Sequence, residues 1–78
     1  MRTEAEWEAH IKGIIKAELK RRQVTYEDLS AKLAEIGVHE TPAAIANKIS
    51  RGRFTAVFLA QCLEAIGLHT LRLREPDA

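Results

Sequence analysis

The chain has 78 residues, of which 46% are hydrophobic and 29% are charged, with only four glycines and two prolines. This composition predicts one small folded domain and excludes a multidomain enzyme, a disordered tail and a collagen-like repeat. The net charge of +1 does not by itself indicate a partner, and the single cysteine excludes an intrachain disulfide and indicates a reducing compartment.

The first predicted helix runs from about Glu4 to Arg22 and is amphipathic. Its outer side carries a stripe of lysines at helical spacing, Lys12, Lys16 and Lys20. Its apolar side consists of Trp7, Ile11, Ile14, Ile15 and Leu19. Glu18 points into this apolar side, either as a rim residue whose carboxylate reaches solvent or as an ion-pair partner of Arg51 or Arg53.

The second predicted helix begins after Thr25, which with Asp28 forms a T-x-x-D capping pattern. It runs from Tyr26 to Ile36, and Gly37 occupies the position where a left-handed residue ends a helix. The sequence therefore marks both ends of this helix.

Two further helices follow. The third begins with Thr41 as cap and Pro42 at the first helical position, and it ends near Arg51. The fourth begins after Thr55 and ends before Gly67. The connections between the helices are therefore short.

After Gly67 the hydrophobic period changes from helical to two, because Leu71 and Leu73 alternate with polar residues. This pattern predicts a short strand at residues 69–74. A lone strand is unstable, so we expect this segment to pair antiparallel with its counterpart in a second chain or to lie along the first helix. Leu71 and Leu73 are the residues predicted to mediate dimerisation.

The predicted fold is an all-α, compact four-helix domain that occupies residues 1–78, with a core region of about residues 7–67 and an extension at residues 68–78. The residues expected to share one hydrophobic core are Trp7, Ile11, Leu29, Leu33, Ile45, Ile49, Phe58 and Leu63. The acidic start of the chain shows no targeting signal, so we expect a cytoplasmic protein that has no membrane partner.

Catalysis and metal binding need converging side chains, and the candidate residues are scattered. The three histidines and Cys62 show none of the spacings that build a metal site. Cys62 lies on the inner side of the fourth helix, where a buried, unreactive thiol is the ordinary case. We expect no enzyme activity, no cofactor and no metal.

The stretch from Val24 to Ser30, the Ile49-Ser50-Arg51-Gly52 element and the apolar helix that ends at Gly67 resemble bacterial and phage repressors of the lambda-repressor type. The run from Trp7 to Gly67 is similar, more closely, to short bacterial proteins known only as a domain of unknown function. The first resemblance implies a helix-turn-helix fold in which the third helix enters the major groove. The connection between the second and third helices is longer than is usual in that family.

The outward face of the third helix predicts base contacts from Ala43, Ala44, Asn47 and Arg51, because Asn pairs with adenine, Arg with guanine and Ala with the thymine methyl. The predicted phosphate contacts are Lys48, Arg53, Lys12, Lys16 and Lys20.

We therefore expect a transcriptional regulator that binds double-stranded DNA as a homodimer. The alternative is a protein-interaction or antitoxin-like module that kept the fold without sequence-specific DNA binding. RNA binding is a third option, which the lack of an aromatic stacking platform disfavours.

Overall fold

A computed structural model describes residues 1–73, which form four helices and no strand. The helices are α1 (Glu4–Arg21), α2 (Tyr26–Glu35), α3 (Pro42–Arg51) and α4 (Ala56–Ala65). The all-α prediction is confirmed, and each helix boundary lies within about one residue of its predicted position. No helix within residues 1–73 is both long enough and apolar enough to cross a membrane.

A threonine side chain caps the start of every helix. Thr25, Thr41 and Thr55 act as the sequence predicts, each accepting a hydrogen bond from the backbone N–H three residues later. Thr3, which was not among the predicted caps, has a hydroxyl that accepts from the Glu6 amide, while the Glu6 carboxylate accepts from the Thr3 amide. This reciprocal pair is a capping box that fixes the start of α1.

Three of the helices end in the same hydrogen-bonded turn, with a left-handed residue just beyond the helix. Gly37 fills this position after α2 and Gly67 fills it after α4, with φ of 83° and 73°. After α1 the position is held by Gln23 at φ 58°, the one described residue other than glycine with a positive φ. The turns hold the connections to a few residues each.

The hydrophobic core lies where α2 packs against α3 and α4, and α1 packs against α3. Its eight buried residues are Ile15, Leu19, Leu29, Leu33, Ile45, Ile49, Phe58 and Cys62. Ile11 and Leu63, which were predicted as core, are partly buried and pack against this cluster. Cys62 is buried, as expected.

The placement of Trp7 in the core is wrong, because 51% of its surface is exposed. The buried side of α1 is centred on Ile15 and Leu19, and Trp7 lies at the edge of that side near the start of the helix. The Arg2 guanidinium lies 4.6 Å above the indole ring, and the His10 ring approaches the indole edge-on at 5.9 Å. Trp7 is thus a surface residue with polar neighbours.

The ion-pair partners proposed for Glu18 are also wrong. Its carboxylate contacts Arg21 at 2.7 Å and Arg22 at 3.7 Å, both on its own helix. Bases three and four residues along a helix are the nearest available partners, so the local pair forms in preference to one with Arg51 or Arg53.

The strand predicted at residues 69–74 is not present in the described part, which ends at Leu73; Arg74 lies outside the described residues. The segment takes the second predicted arrangement and lies along α1, where the His10 Nε2–H donates to the Leu73 carbonyl oxygen. A strand needs a neighbouring strand for its backbone hydrogen bonds, and residues 1–73 offer none. Leu71 is half-buried and Leu73 is exposed.

Candidate nucleic-acid interface

Helix α3 presents one buried and one exposed face. Ile45 and Ile49 are fully buried against α2 and α1. Ala43, Asn47 and Arg51 are exposed on the opposite side, and Ala44 is half-buried beside them. The inner and outer faces predicted from the sequence are therefore those that the fold adopts.

The position of α3 is set by the connection that precedes it. The Val38 side chain packs against the core, and the Val38 amide donates to the Leu33 carbonyl at the end of α2. The Ser30 hydroxyl donates to the Glu40 carbonyl oxygen at 2.6 Å. The longer connection is thus held at two points before Thr41 caps α3, and it does not leave the helix loosely attached.

A shallow hollow of about 260 Å³ lies where α3 ends and α4 begins. Its lining combines three cationic side chains with two aromatic rings: Lys48, Arg51, Arg53, Phe54 and Phe58, together with Thr55. The fold therefore brings three of the predicted DNA-contacting residues to one place.

Two of these three cations are neutralised by carboxylates from other parts of the chain. Lys48 Nζ lies 2.6 Å from Glu40 Oε2 and 4.7 Å above the Phe58 ring. Arg53 donates to both Glu4, at 2.9 Å, and Glu8 on the first turns of α1. These carboxylates lie where an anionic ligand of the same cations would compete with them.

Arg51 differs from its two neighbours. Its Nε–H donates to the Asn47 backbone carbonyl at 3.3 Å, and it makes no ion pair within residues 1–73. Both side chains lie exposed on the same face of α3. The outward end of α3 therefore carries one guanidinium and one amide that are available to a partner.

Two lysines of the α1 stripe line a different surface. Lys16 and Lys20 flank a depression at the start of α2, beside Val24 and Tyr26, and this depression shares no lining residue with the hollow at the end of α3. Lys12 is half-buried. The fold thus places Lys16 and Lys20 on a different surface from Lys48 and Arg53.

The C-terminal segment borders a third surface. A cleft of about 370 Å³ separates α1 from residues 68–73, and Leu73, Thr70 and Arg72 line one of its walls. The role of Leu71 and Leu73 in dimerisation stays a prediction.

The chemistry of Cys62 follows from its burial. Removal from water raises the pKa of the thiol to about 11, the Glu40 carboxylate acts in the same direction, and Lys48 opposes them. The thiol is therefore protonated and unreactive at neutral pH. Within residues 1–73 no three His, Cys, Asp or Glu side chains cluster as metal ligands.

The residues that sequence reasoning missed are the acids that hold the cations: Glu40 for Lys48, and Glu4 and Glu8 for Arg53. Arg53 lies 45 and 49 residues from its two partners. No local sequence signal identifies such pairs, since they depend on how α1 packs against the end of α3.

Comparison with known proteins adds a family and no activity. No curated protein and no solved structure matches the chain. One family model matches residues 7–71 and is described as a domain of unknown function. Because this match covers most of the four-helix fold and confirms the resemblance to short proteins of that kind, the chain belongs to the family Domain of unknown function (DUF6471).

Proposed function

We propose that this protein binds double-stranded DNA through α3, as a helix-turn-helix transcriptional regulator of the lambda-repressor type that acts as a homodimer without catalysis. The observation that carries this proposal is the outer face of α3. It is exposed and combines small side chains with the Asn47 amide and the Arg51 guanidinium, and Arg51 also lines a hollow together with the ion-paired side chains of Lys48 and Arg53.

The chemistry of this face suits base recognition. Ala43 and Ala44 allow the helix backbone to approach the groove closely, and their methyl groups match the thymine methyl. Asn47 can form two hydrogen bonds with adenine, and Arg51 can do the same with guanine. Lys48 and Arg53 fit phosphate contact, which fixes orientation without reading sequence.

Salt dependence provides the first test. Binding to a labelled random-sequence duplex is followed by fluorescence anisotropy while the salt concentration is varied. A negative slope of log affinity against log salt supports phosphate contact, because each neutralised phosphate releases a counterion. No binding at about 50 mM salt would overturn the proposal.

Two substitutions separate base contact from phosphate contact. At a selected preferred site, Asn47→Ala should cost about 1–3 kcal/mol and relax the sequence preference. Lys48→Ala should weaken binding to all sequences alike and reduce the salt slope by roughly one. Lys32→Ala, on the last turn of α2, provides a control of equal charge.

A third substitution tests the docking of α3 itself. Ala44→Glu places an acid three residues after the Thr41 cap, where it completes a T-x-x-E capping box and leaves the helix stable. The same change at exposed Ala31 on α2 is the matched control. Binding should be lost in Ala44→Glu and kept in Ala31→Glu. Equal binding by the two variants would exclude α3 as the recognition helix.

A protein-interaction or antitoxin-like module is the second candidate. Exposed apolar side chains favour it, since Trp7 is 51% exposed and Val57, on α4, is 65% exposed. Large apolar groups of this kind are typical of protein interfaces. A chain that shows no salt-dependent DNA binding would favour this second function.

A further inference from the structure

The outer face of α1 contacts no other helix of the domain. It is formed by five exposed residues at helical spacing: Glu6, Ala9, Gly13, Ala17 and Lys20. Among the helices of residues 1–73, α1 packs only against α3, through its other side, and Ala17 also lines the cleft between α1 and residues 68–73. This face carries an acid at its start, a base at its end and only small side chains between them.

Gly13 is an unexpected residue within this face. It lies in the interior of an 18-residue helix, where glycine is less favourable than alanine. No heavy atom lies within 4 Å of the place where a Cβ would stand, and its backbone is helical, so neither packing nor a turn in this fold requires glycine. A close contact from outside the domain would favour a residue that has no Cβ there.

The spacing of the five residues is the same in both directions along the helix. Counted from Gly13, Ala9 and Ala17 lie four residues away on either side, and Glu6 and Lys20 lie seven residues away. If a second copy of α1 is laid antiparallel with Gly13 opposite Gly13, Ala9 faces the partner's Ala17. Glu6 then faces the partner's Lys20, and the pairing is repeated at the other end.

We propose that this face of α1 binds a second copy of the chain through antiparallel packing of the two α1 helices across a two-fold axis at Gly13. The small side chains let the two backbones approach, and an ion pair between Glu6 and Lys20 closes each end. The pairing uses no residue of α3, so it leaves the proposed DNA-contacting face free. It assigns Lys20 to protein contact and not to phosphate.

Charge complementarity selects a second copy as the partner. The face is acidic at one end and basic at the other, which matches its own reversed copy. Within one chain the pair cannot form, because fourteen residues of helix separate Glu6 from Lys20 by about 21 Å. A restored Glu–Lys pair therefore reports contact between chains.

The test measures association of the full chain by sedimentation equilibrium, without DNA, over a wide range of concentration. The average mass should rise from monomer to dimer. Gly13→Gln should weaken association at least about tenfold, because the longer side chain separates the backbones. The same substitution should raise the thermal midpoint of the dilute monomer, since glutamine favours helix more than glycine. Ala31→Gln on α2 is the control and should leave association unchanged.

Exchanging the charges of Glu6 and Lys20 tests whether the two α1 helices pack antiparallel. Lys20→Glu should weaken association because Glu6 then faces an acid, whereas Lys32→Glu, an equal change in the last turn of α2, should have no effect. Adding Glu6→Lys to Lys20→Glu should recover association, with helix content checked by circular dichroism. The Glu6 change also removes the capping box of α1. If the double variant is poorly folded for this reason, the result for Gly13→Gln decides whether the proposed interface is correct.

Three results would overturn the proposal: a wild-type chain that stays monomeric, a Gly13→Gln variant that associates like the wild type, or a well-folded charge-exchanged variant that recovers nothing. A dimer that is insensitive to Gly13→Gln but lost in the Leu71→Ser/Leu73→Ser variant would place the interface on the C-terminal segment. Because no DNA is present, failure here leaves the proposed DNA contact untouched, and loss of DNA binding leaves the dimer untouched.

Discussion

Replacing Gly52 with alanine should destabilise the domain far more than the same replacement at Gly37. Both glycines have a positive φ, 66° at Gly52 and 83° at Gly37. They differ in their surroundings. A Cβ at Gly52 would lie 2.4 Å from the Glu8 carbonyl oxygen and 2.9 Å from its carbonyl carbon, whereas a Cβ at Gly37 would meet no atom within 4 Å.

The two substitutions therefore share one cost and differ in another. A left-handed backbone costs a residue with a Cβ about 1–2 kcal/mol, and the lower entropy of unfolded alanine returns about 0.4–1 kcal/mol. We expect Gly37→Ala to cost about 0.5–1 kcal/mol in total. At Gly52 the obstacle is backbone, which cannot rotate away, so α1 must shift against α3. Overpacking of this kind adds about 1–3 kcal/mol.

Urea unfolding followed by far-UV circular dichroism measures both variants against the wild type in dilute solution. The expected free energy of unfolding falls by about 1.5–4 kcal/mol for Gly52→Ala, a large share of the stability of a small domain. Gly13→Ala, which has open space and a helical backbone, should instead gain about 0.5–1 kcal/mol. Equal midpoints for Gly52→Ala and Gly37→Ala would refute the close approach of α1 to the end of α3.

Three further predictions concern local features. Gln23→Gly should stabilise the domain by about 0.5–1 kcal/mol in urea unfolding, because it relieves a left-handed glutamine; a loss of stability would contradict this. Hydrogen bonds from the backbone and hydroxyl of Thr25 lower the pKa of Asp28 below 3.8, so the contribution of Asp28 to stability is present above pH 3.8 and is lost as pH falls through the lowered value. In an NMR titration, Thr25→Ala should raise the pKa of Asp28 part of the way towards 3.8, since the hydrogen bond from the backbone of residue 25 remains. An unchanged pKa would show that the Thr25 hydroxyl does not contribute to the lowering. Burial raises the pKa of Cys62 to about 11 from 9.0, so the stability it contributes is complete below pH 9 and is lost as pH rises through 11. Between pH 9 and pH 11 the free energy of unfolding of the wild type should fall by about 2 kcal/mol relative to that of Cys62→Ala. If the two proteins showed the same dependence of unfolding free energy on pH, the thiol would not be buried.

The helices could be predicted almost to the residue because their ends are marked by local chemistry. Thr25, Thr41 and Thr55 each cap a backbone amide three residues away, and Gly37 and Gly67 each close a turn within six residues. Thr3 and Glu6 follow the same capping pattern, and it marks the start of α1 equally well. The outer face of α3 could also be assigned, since its two buried isoleucines leave only one side free.

The sequence did not determine which part of a broad apolar side faces the core. On α1 the apolar residues cover a wide arc, and periodicity fixes their relative angles without fixing which angle meets α3. Trp7 was placed inside for this reason and lies outside, while Ile15 and Leu19 are buried. The extended segment at Leu71 and Leu73 likewise has a strand-like pattern, yet it lies along α1, because a strand depends on a partner that the pattern does not contain.

The sequence by itself determined four helices, their ends, the buried and exposed sides of α3 and the burial of Cys62, because each is indicated by a residue pattern that spans only one to three helical turns. Only the tertiary structure decided that Arg53 is held by Glu4 and Glu8, that Lys48 is held by Glu40, and that Lys16 and Lys20 line a different surface from Lys48 and Arg53. The two Arg53 pairs join residues 45 and 49 positions apart, and the Lys48 pair joins α3 to the connection that precedes it. They follow from the packing of all the helices together, which no local pattern specifies.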